Sequence, residues 1–262
     1  MNRSASVVIA ALLSLAPAAR AWSQEEVGKV DSGEKASDGY HWGLGAGYGL
    51  LQKAYVDIDN DSIPLPLLIF DNRWISISGP SIDFKLPSPG PVSFALRAKY
   101  SRDGYEASDS PALFGMTERK SSFWYGGNAV WRNALADVSV ELLADASDYS
   151  GGQRATLAVE RGFEYGDLRF TPRVSAAWLS DDYVDYYYGV GATEALPVRA
   201  AYRGDAAINL EAVLRTTYSI GPKQSLFLNV GVELLDNVIK DSPIVDGSTQ
   251  SVMFLGYVYM FR

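Results

Sequence analysis

The 262-residue chain predicts an all-β protein, a closed antiparallel transmembrane β-barrel of about twelve strands, with ten as the alternative. Three observations lead there. Residues 40–50 alternate strictly: Tyr40, Trp42, Leu44, Ala46, Tyr48 and Leu50 are apolar, and His41, Gly43, Gly45, Gly47 and Gly49 stand between them. Strand side chains point to opposite faces in turn, so this segment has one greasy face and one nearly bare face. The same period recurs toward the C-terminus in runs of about ten residues, the length a tilted strand needs to cross the hydrocarbon layer. The N-terminus, finally, reads as an export leader.

That leader covers residues 1–21, with a basic start at Arg3, an apolar run from Val7 to Leu15, and the small-x-small site Ala19-Arg20-Ala21. Cleavage is expected after Ala21. The run is too short to span a bilayer as a helix, and no longer apolar stretch follows it. The chain has no cysteine, which removes lipoprotein-type thioether attachment, disulfides and thiolate chemistry. Lys and Arg number 23 against 31 Asp and Glu, a net charge of -8 at pH 7. The leader takes two arginines and no acid with it, so no basic excess exists to recruit nucleic acid. Residues 22–38, rich in Ser, Glu, Lys and Gly, read as a flexible periplasmic arm, and residues 39–262 as the barrel.

After the first strand comes a polar loop from Gln52 to Ser62. Leu65 to Pro87 then reads as three short strands with turns near Asp71-Asn72 and Gly79-Pro80. Pro64, Pro66 and Pro87 argue against regular pairing there, and one strand plus an excursion would lower the count to ten. Outward sets follow in order: Val92–Tyr100, Phe123–Trp131, Val138–Ala144, Leu157 and Val159, Leu168–Trp178, Ile208–Leu214 and Leu226–Val232, each taken at every second residue. The alternate positions hold the charges: Arg97, Lys99, Asp137, Glu141, Arg154, Glu160, Arg169, Arg173, Glu211, Arg215 and Glu233. A charge facing lipid costs several kcal/mol, so this face is the lumen. Joints at 88–91, 132–133, 164–167 and 221–224 are short, whereas 52–62, 102–120, 180–204 and 236–249 are long polar loops. Barrels of this kind keep short turns on the periplasmic side, which puts both chain ends there and makes the strand count even. Tyr40, Trp42, Tyr48, Trp74, Tyr100, Trp124, Trp131 and Trp178 lie near strand ends and are expected to form the aromatic girdles.

Candidate chemistry is sparse. His41 is the one histidine. It opens the first strand at the periplasmic end, away from the outer rim where barrel hydrolases place theirs, and reads as an interfacial polar residue. No cofactor is implied. Asp57-x-Asp59-x-Asp61 resembles the start of a calcium loop, but Ser62 stands where the loop glycine belongs and Leu68 where the bidentate acid belongs, so a solvated turn is the preferred reading. The inward charges either line an aqueous path or pair with one another and close it; mixed signs on one wall favour a narrow or closed interior. Tyr183–Tyr188, bracketed by Asp181, Asp182 and Asp185, is either an exposed recognition patch or a plug folded into the mouth, with the plug preferred.

Several pieces, in order along the chain, resemble the MipA/OmpV family of Gram-negative outer-membrane proteins, named for an MltA-interacting protein. They are Trp42–Tyr48, Pro64-Leu65-Pro66, Gly104-Tyr105, the Ser108–Gly115 loop followed by Arg119, Tyr186–Val190, Ser242-Pro243, and the closing Leu255–Phe261. The resemblance covers nearly all of residues 39–262. It implies residence in the cell outer membrane, in contact with its lipid, and a non-enzymatic scaffold between a lytic transglycosylase and a peptidoglycan synthase. It carries no residue-level binding motif. Tyr257, Tyr259 and Phe261 match the aromatic ending that the barrel assembly machinery reads, although Arg262 follows Phe261 here. A narrow pore for small solutes, a surface adhesin and a lipid-modifying enzyme are the competing readings.

Overall fold

The computed structural model describes residues 39–58, 61–88 and 90–261. The leader, the arm at 22–38, Asp59, the side chain of Asp61 and Arg262 lie outside the described residues. Thirteen strand segments follow one another around one sheet: β1 (His41–Gln52), β2 (Asp61–Asp71), β3 (Ile75–Ser78), β4 (Ser81–Leu86), β5 (Val92–Ser101), β6 (Ser122–Arg132), β7 (Asp137–Asp145), β8 (Gln153–Glu160), β9 (Phe163–Tyr165), β10 (Leu168–Leu179), β11 (Ala207–Gly221), β12 (Gln224–Leu234) and β13 (Thr249–Met260). β13 pairs back onto β1 from Gly43↔Met260 to Gln52↔Ser251, which closes the barrel.

Twelve staves result, because β8 and β9 lie end to end along the same edge of β10. The cause of the break is visible in the ladder. Arg161 donates to the Pro172 carbonyl on β10, so that residue's backbone faces the broken stave. Proline has no N–H to return, and the pairing lapses there.

β2 begins at Asp61, earlier than expected, and its two prolines sit in register, Pro64 opposite Tyr48 and Pro66 opposite Ala46. Phe261 donates to the Trp42 carbonyl at 2.9 Å, so even-numbered β1 residues bond toward β13 and odd-numbered ones toward β2. In antiparallel pairing a residue directs N–H and C=O to the same neighbour. Both prolines therefore face away from β1, and the β1–β2 ladder loses nothing. Pro87 falls just beyond β4 and ends it.

The outside is apolar. Leu44, Leu96, Leu142, Val174, Leu210 and Leu255 are all exposed there, a continuous belt that only lipid can cover. At one end lie both ends of the barrel and the short turns 87–91, 133–136, 166–167 and 222–223; Gly166 takes a left-handed φ of 60°, as a two-residue hairpin requires. By the loop rule this is the periplasmic end. At the other end the long loops fold inward. One expected girdle residue is not there: Trp124 points into the lumen and is 1% exposed, because it occupies an inward position of β6 opposite Lys99 and Asp145.

Candidate functional site

The lumen is the feature that could act on a solute or partner, and its walls are unlike. On β1, β2, β12 and β13 it is packed with apolar groups: Ile63, Leu65, Ile69, Phe227, Phe254 and Val258 are buried together. The bare face of β1 explains how they fit. A Cβ on Gly47 would come within 2.2 Å of the Phe254 ring, and one on Gly256 within 2.4 Å of Phe227. The glycines thus clear space for two rings whose centroids are 5.4 Å apart. Each buried ring contributes roughly 1.5–3 kcal/mol.

From β4 to β11, and at Glu233 near the outer end of β12, the lumen is charged. The register directs Arg97, Lys99, Glu141, Arg169, Arg173, Glu211, Arg215 and Glu233 inward. Arg97 is held in a fork: its Nη1 bonds Glu141 at 2.5 Å and its Nε bonds Asp83 at 2.6 Å. Lys99 approaches the same Glu141 at 3.6 Å. Arg173 bonds Glu211 at 3.0 Å and lies 3.7 Å from Glu160. Arg169 lies 3.6 Å from Glu164, and Arg154 lies 3.3 Å from Asp103. Asn209 donates to Glu233 at 3.0 Å. Most of these pairs run between neighbouring staves along the wall. A buried charge is costly unless so paired, which is why opposite signs alternate here.

A plug of loops covers the outer mouth. Helix α1 (Asp181–Tyr188) starts at Ser180, whose hydroxyl accepts from the Tyr183 N–H. It buries Tyr183, Val184, Tyr187 and Tyr188 against Trp124, Leu143 and Leu179 of the barrel and Tyr55, Ile239 and Ile244 of other loops. These tyrosines are core, with only Tyr186 of the run left half-buried. Polar ties fix the cap: Tyr187 donates to the Lys120 carbonyl, Tyr55 to the Tyr187 carbonyl, and Ser242 to the Tyr188 carbonyl at 2.6 Å. Arg119 bridges Glu194 at 2.8 Å and the Tyr186 carbonyl at 2.6 Å. Arg199 donates to the carbonyls of Ala112, Phe114 and Glu194.

Burial and ion pairing shift several ionisable groups of the plug away from neutral pH. Burial raises the phenols of Tyr55, Tyr183, Tyr187 and Tyr188 well above their ordinary value, and lifts Tyr105 to about 12. Burial also acts against the Glu194 charge, but the bonds from Arg119, Thr117 and Gly191 outweigh it and hold the carboxyl at about 2.

Two cavities in the lumen bear on a solute or partner. One of about 150 Å³ lies under the plug, between Arg102, Asp103, Arg154, Tyr183, Glu211 and Glu233. The other, about 230 Å³, lies toward the periplasmic end among Arg73, Asp83, Lys85, Arg132, Asp137, Glu160 and Arg173. Arg173 lines one, Glu211 lines the other, and their ion pair stands between them. Sequence reasoning missed Asp83 and Asp103, which lie in a short strand and at a loop edge. Asp57 has a left-handed φ of 54°, and among the described residues no group of three or more acids or histidines is placed to hold a metal. His41 sits at the periplasmic start of β1, paired in register with Asp71. At the closing seam Phe261 stacks on Trp42 at 4.3 Å and meets Tyr259 edge-on at 5.0 Å, while Tyr257 donates to Gln224.

A closed antiparallel barrel with an apolar belt and an internally paired lumen defines an integral β-barrel of the Gram-negative outer membrane. The chain belongs to the MipA family: the model described as MltA-interacting protein MipA matches residues 44–261. It is similar to the MltA-interacting protein of Escherichia coli K12, 26% identical over 225 residues, covering 83% of this chain and 89% of that one. It is also similar to the putative outer membrane protein YiaT of the same strain, 23% identical over 221 residues, covering 83% and 90%. Among solved structures, the NanC porin overlays 82% of this chain and 98% of its own with a TM-score of 0.43 at 9% identity.

Proposed function

We propose that the barrel is a non-enzymatic, non-conducting platform that docks periplasmic peptidoglycan-remodelling enzymes on the outer membrane. The observation that carries this reading is the closed mouth: a buried plug above a lumen whose charges are paired offers a rigid body rather than a path. The similar E. coli protein is named for interaction with MltA, which supports a lytic transglycosylase as the first partner; a peptidoglycan synthase is the second partner of this proposal. The docking face is the periplasmic end, where Arg73, Lys85, Arg132, Asp137 and Glu160 rim the larger cavity beside the short turns. Mixed charges fixed on a rigid rim select orientation and partner.

Purified barrel in detergent should retain an MltA-type transglycosylase on a column, and Arg73→Glu with Arg132→Glu should weaken retention. Absence of retention by the parent protein overturns the proposal. In planar bilayers the parent protein should show no steady conductance. The two cavities meeting at the Arg173–Glu211 pair favour a second reading, a narrow solute path opened by plug movement. Steady current from the intact protein would establish that reading instead.

A further inference from the structure

β2 is paired along its whole length to β1, yet on its other side only Ile69, Phe70 and Asp71 meet β3. The β3–β4 hairpin turns back at Gly79-Pro80, where the Tyr100 N–H of β5 donates to the Pro80 carbonyl; β4 thus covers β5 almost to its end at Ser101, while among the described residues β2 runs on above the turn with no strand on that side. Among the described residues, no backbone hydrogen bond joins 62–68 to any segment other than β1. The free edge is the one toward which even-numbered residues point, as the Asn72-to-Ile75 bond at its lower end also shows. Two of those positions are Pro64 and Pro66.

Open sheet edges are not tolerated against lipid unless their polar groups are dealt with. Here two N–H groups are deleted by the prolines, and a bare N–H is tolerated less well than a bare carbonyl. The same prolines bar an incoming strand, since a strand needs donors on the edge it joins. A β-partner from a second copy or another protein is thereby disfavoured, and an apolar guest is favoured. The stretch lies from mid-membrane toward the outer end, since Ala46 and Tyr48 of β1 stand opposite the prolines. Behind it the lumen is apolar: Leu67 and Leu51, both half-buried, pack on the Ile63–Leu65–Phe254 cluster, and Leu51 also lines the cavity under the plug.

We infer that the gap beside β2 above the β3–β4 turn is a lateral opening to the outer leaflet, and that one acyl chain of an outer-leaflet lipid lies in it against Leu67. The opening joins bilayer to lumen without passing the plug.

The absence of cysteine makes single-cysteine labelling free of background. In phosphatidylcholine vesicles brominated on the acyl chains, a bimane on Leu67→Cys should be quenched to within about twofold of one on the outward-facing Leu68→Cys. It should be quenched about fivefold more than one on Val213→Cys, which faces the lumen behind fully paired strands and is shielded from lipid. Quenching at 67 no greater than at 213 overturns the inference. Quenching at 67 by aqueous iodide but not by brominated chains means a water-filled slot and overturns it equally. On the unmodified protein, a diazirine-bearing phosphatidylcholine should leave adducts on Leu67 or Leu51, the half-buried members of the cluster; adducts confined to outward-facing residues refute it.

Discussion

The two walls fill the lumen by opposite means. The wall built from β12, β13, β1 and β2 is a problem of shape: glycines on one stave make room for rings on the next. The wall from β4 to β11 is a problem of charge: every large inward group needs a partner, and Arg97 serves Asp83 and Glu141 at once. The first should be sensitive to volume and indifferent to pH, and the second the reverse.

The largest loss should follow Arg97→Ala, which strands two carboxylates inside the barrel. Breaking a buried pair costs about 3–5 kcal/mol, read as a drop in the urea midpoint of the protein in vesicles. Arg97→Lys should recover only part of it, since an ammonium cannot fork to both acids. On the opposite wall Gly47→Ala should cost about 1–3 kcal/mol by overpacking. Adding Phe254→Leu should restore part of that loss in the same unfolding measurement, because the shortest contact is with the ring while the Leu255 carbonyl, 2.9 Å away, stays in place. A smaller effect is expected at the plug. Glu194 titrates at about 2 in the fold against an ordinary value of 4.5, so its contribution is complete above 4.5 and is lost as pH falls from 4.5 through 2. Proteolysis of the outer loops should accelerate across that window in the parent and not in Glu194→Gln. The smallest effect belongs to Arg132→Ala: its pair with Asp137 is 3.7 Å long and a third exposed, worth about 0–1 kcal/mol in the urea midpoint.

Much of the barrel was legible because lipid enforces alternation. The outward sets on β5 to β8 and β10 to β12 fall where the period puts them, and of the three strands read between 65 and 87 two are short, with turns beside Asp71-Asn72 and at Gly79-Pro80, while the first starts at Asp61 and runs eleven residues. Reading failed where both faces are alike. In β2 the inward Ile63, Leu65, Leu67 and Ile69 alternate with Pro64, Pro66, Leu68 and Phe70, so no period survives and an apolar lumen gives no signal. Trp124 has the composition of a girdle residue, and only its parity with Lys99 across β5 assigns it inward. Helix α1 was hidden in a loop; the Ser180 cap before two aspartates was the available sign. The charges fall at the alternate positions of each strand, but their pairing was not legible, since Asp83 comes from the short hairpin strand β4 and Asp103 from a loop edge.

Closure between β1 and β13 has a consequence for how the molecule comes into being. Gly43 finds Met260, the most distant residues in the chain to form a ladder, and the Trp42–Phe261 stack seals the same join. Contacts of such high sequence separation form late and slowly. Until the last strand is in place, the nascent polypeptide exposes two long edges and a greasy exterior, the features that favour pairing with the wrong chain. Loss of even the final stave would leave an open sheet rather than a slightly smaller barrel.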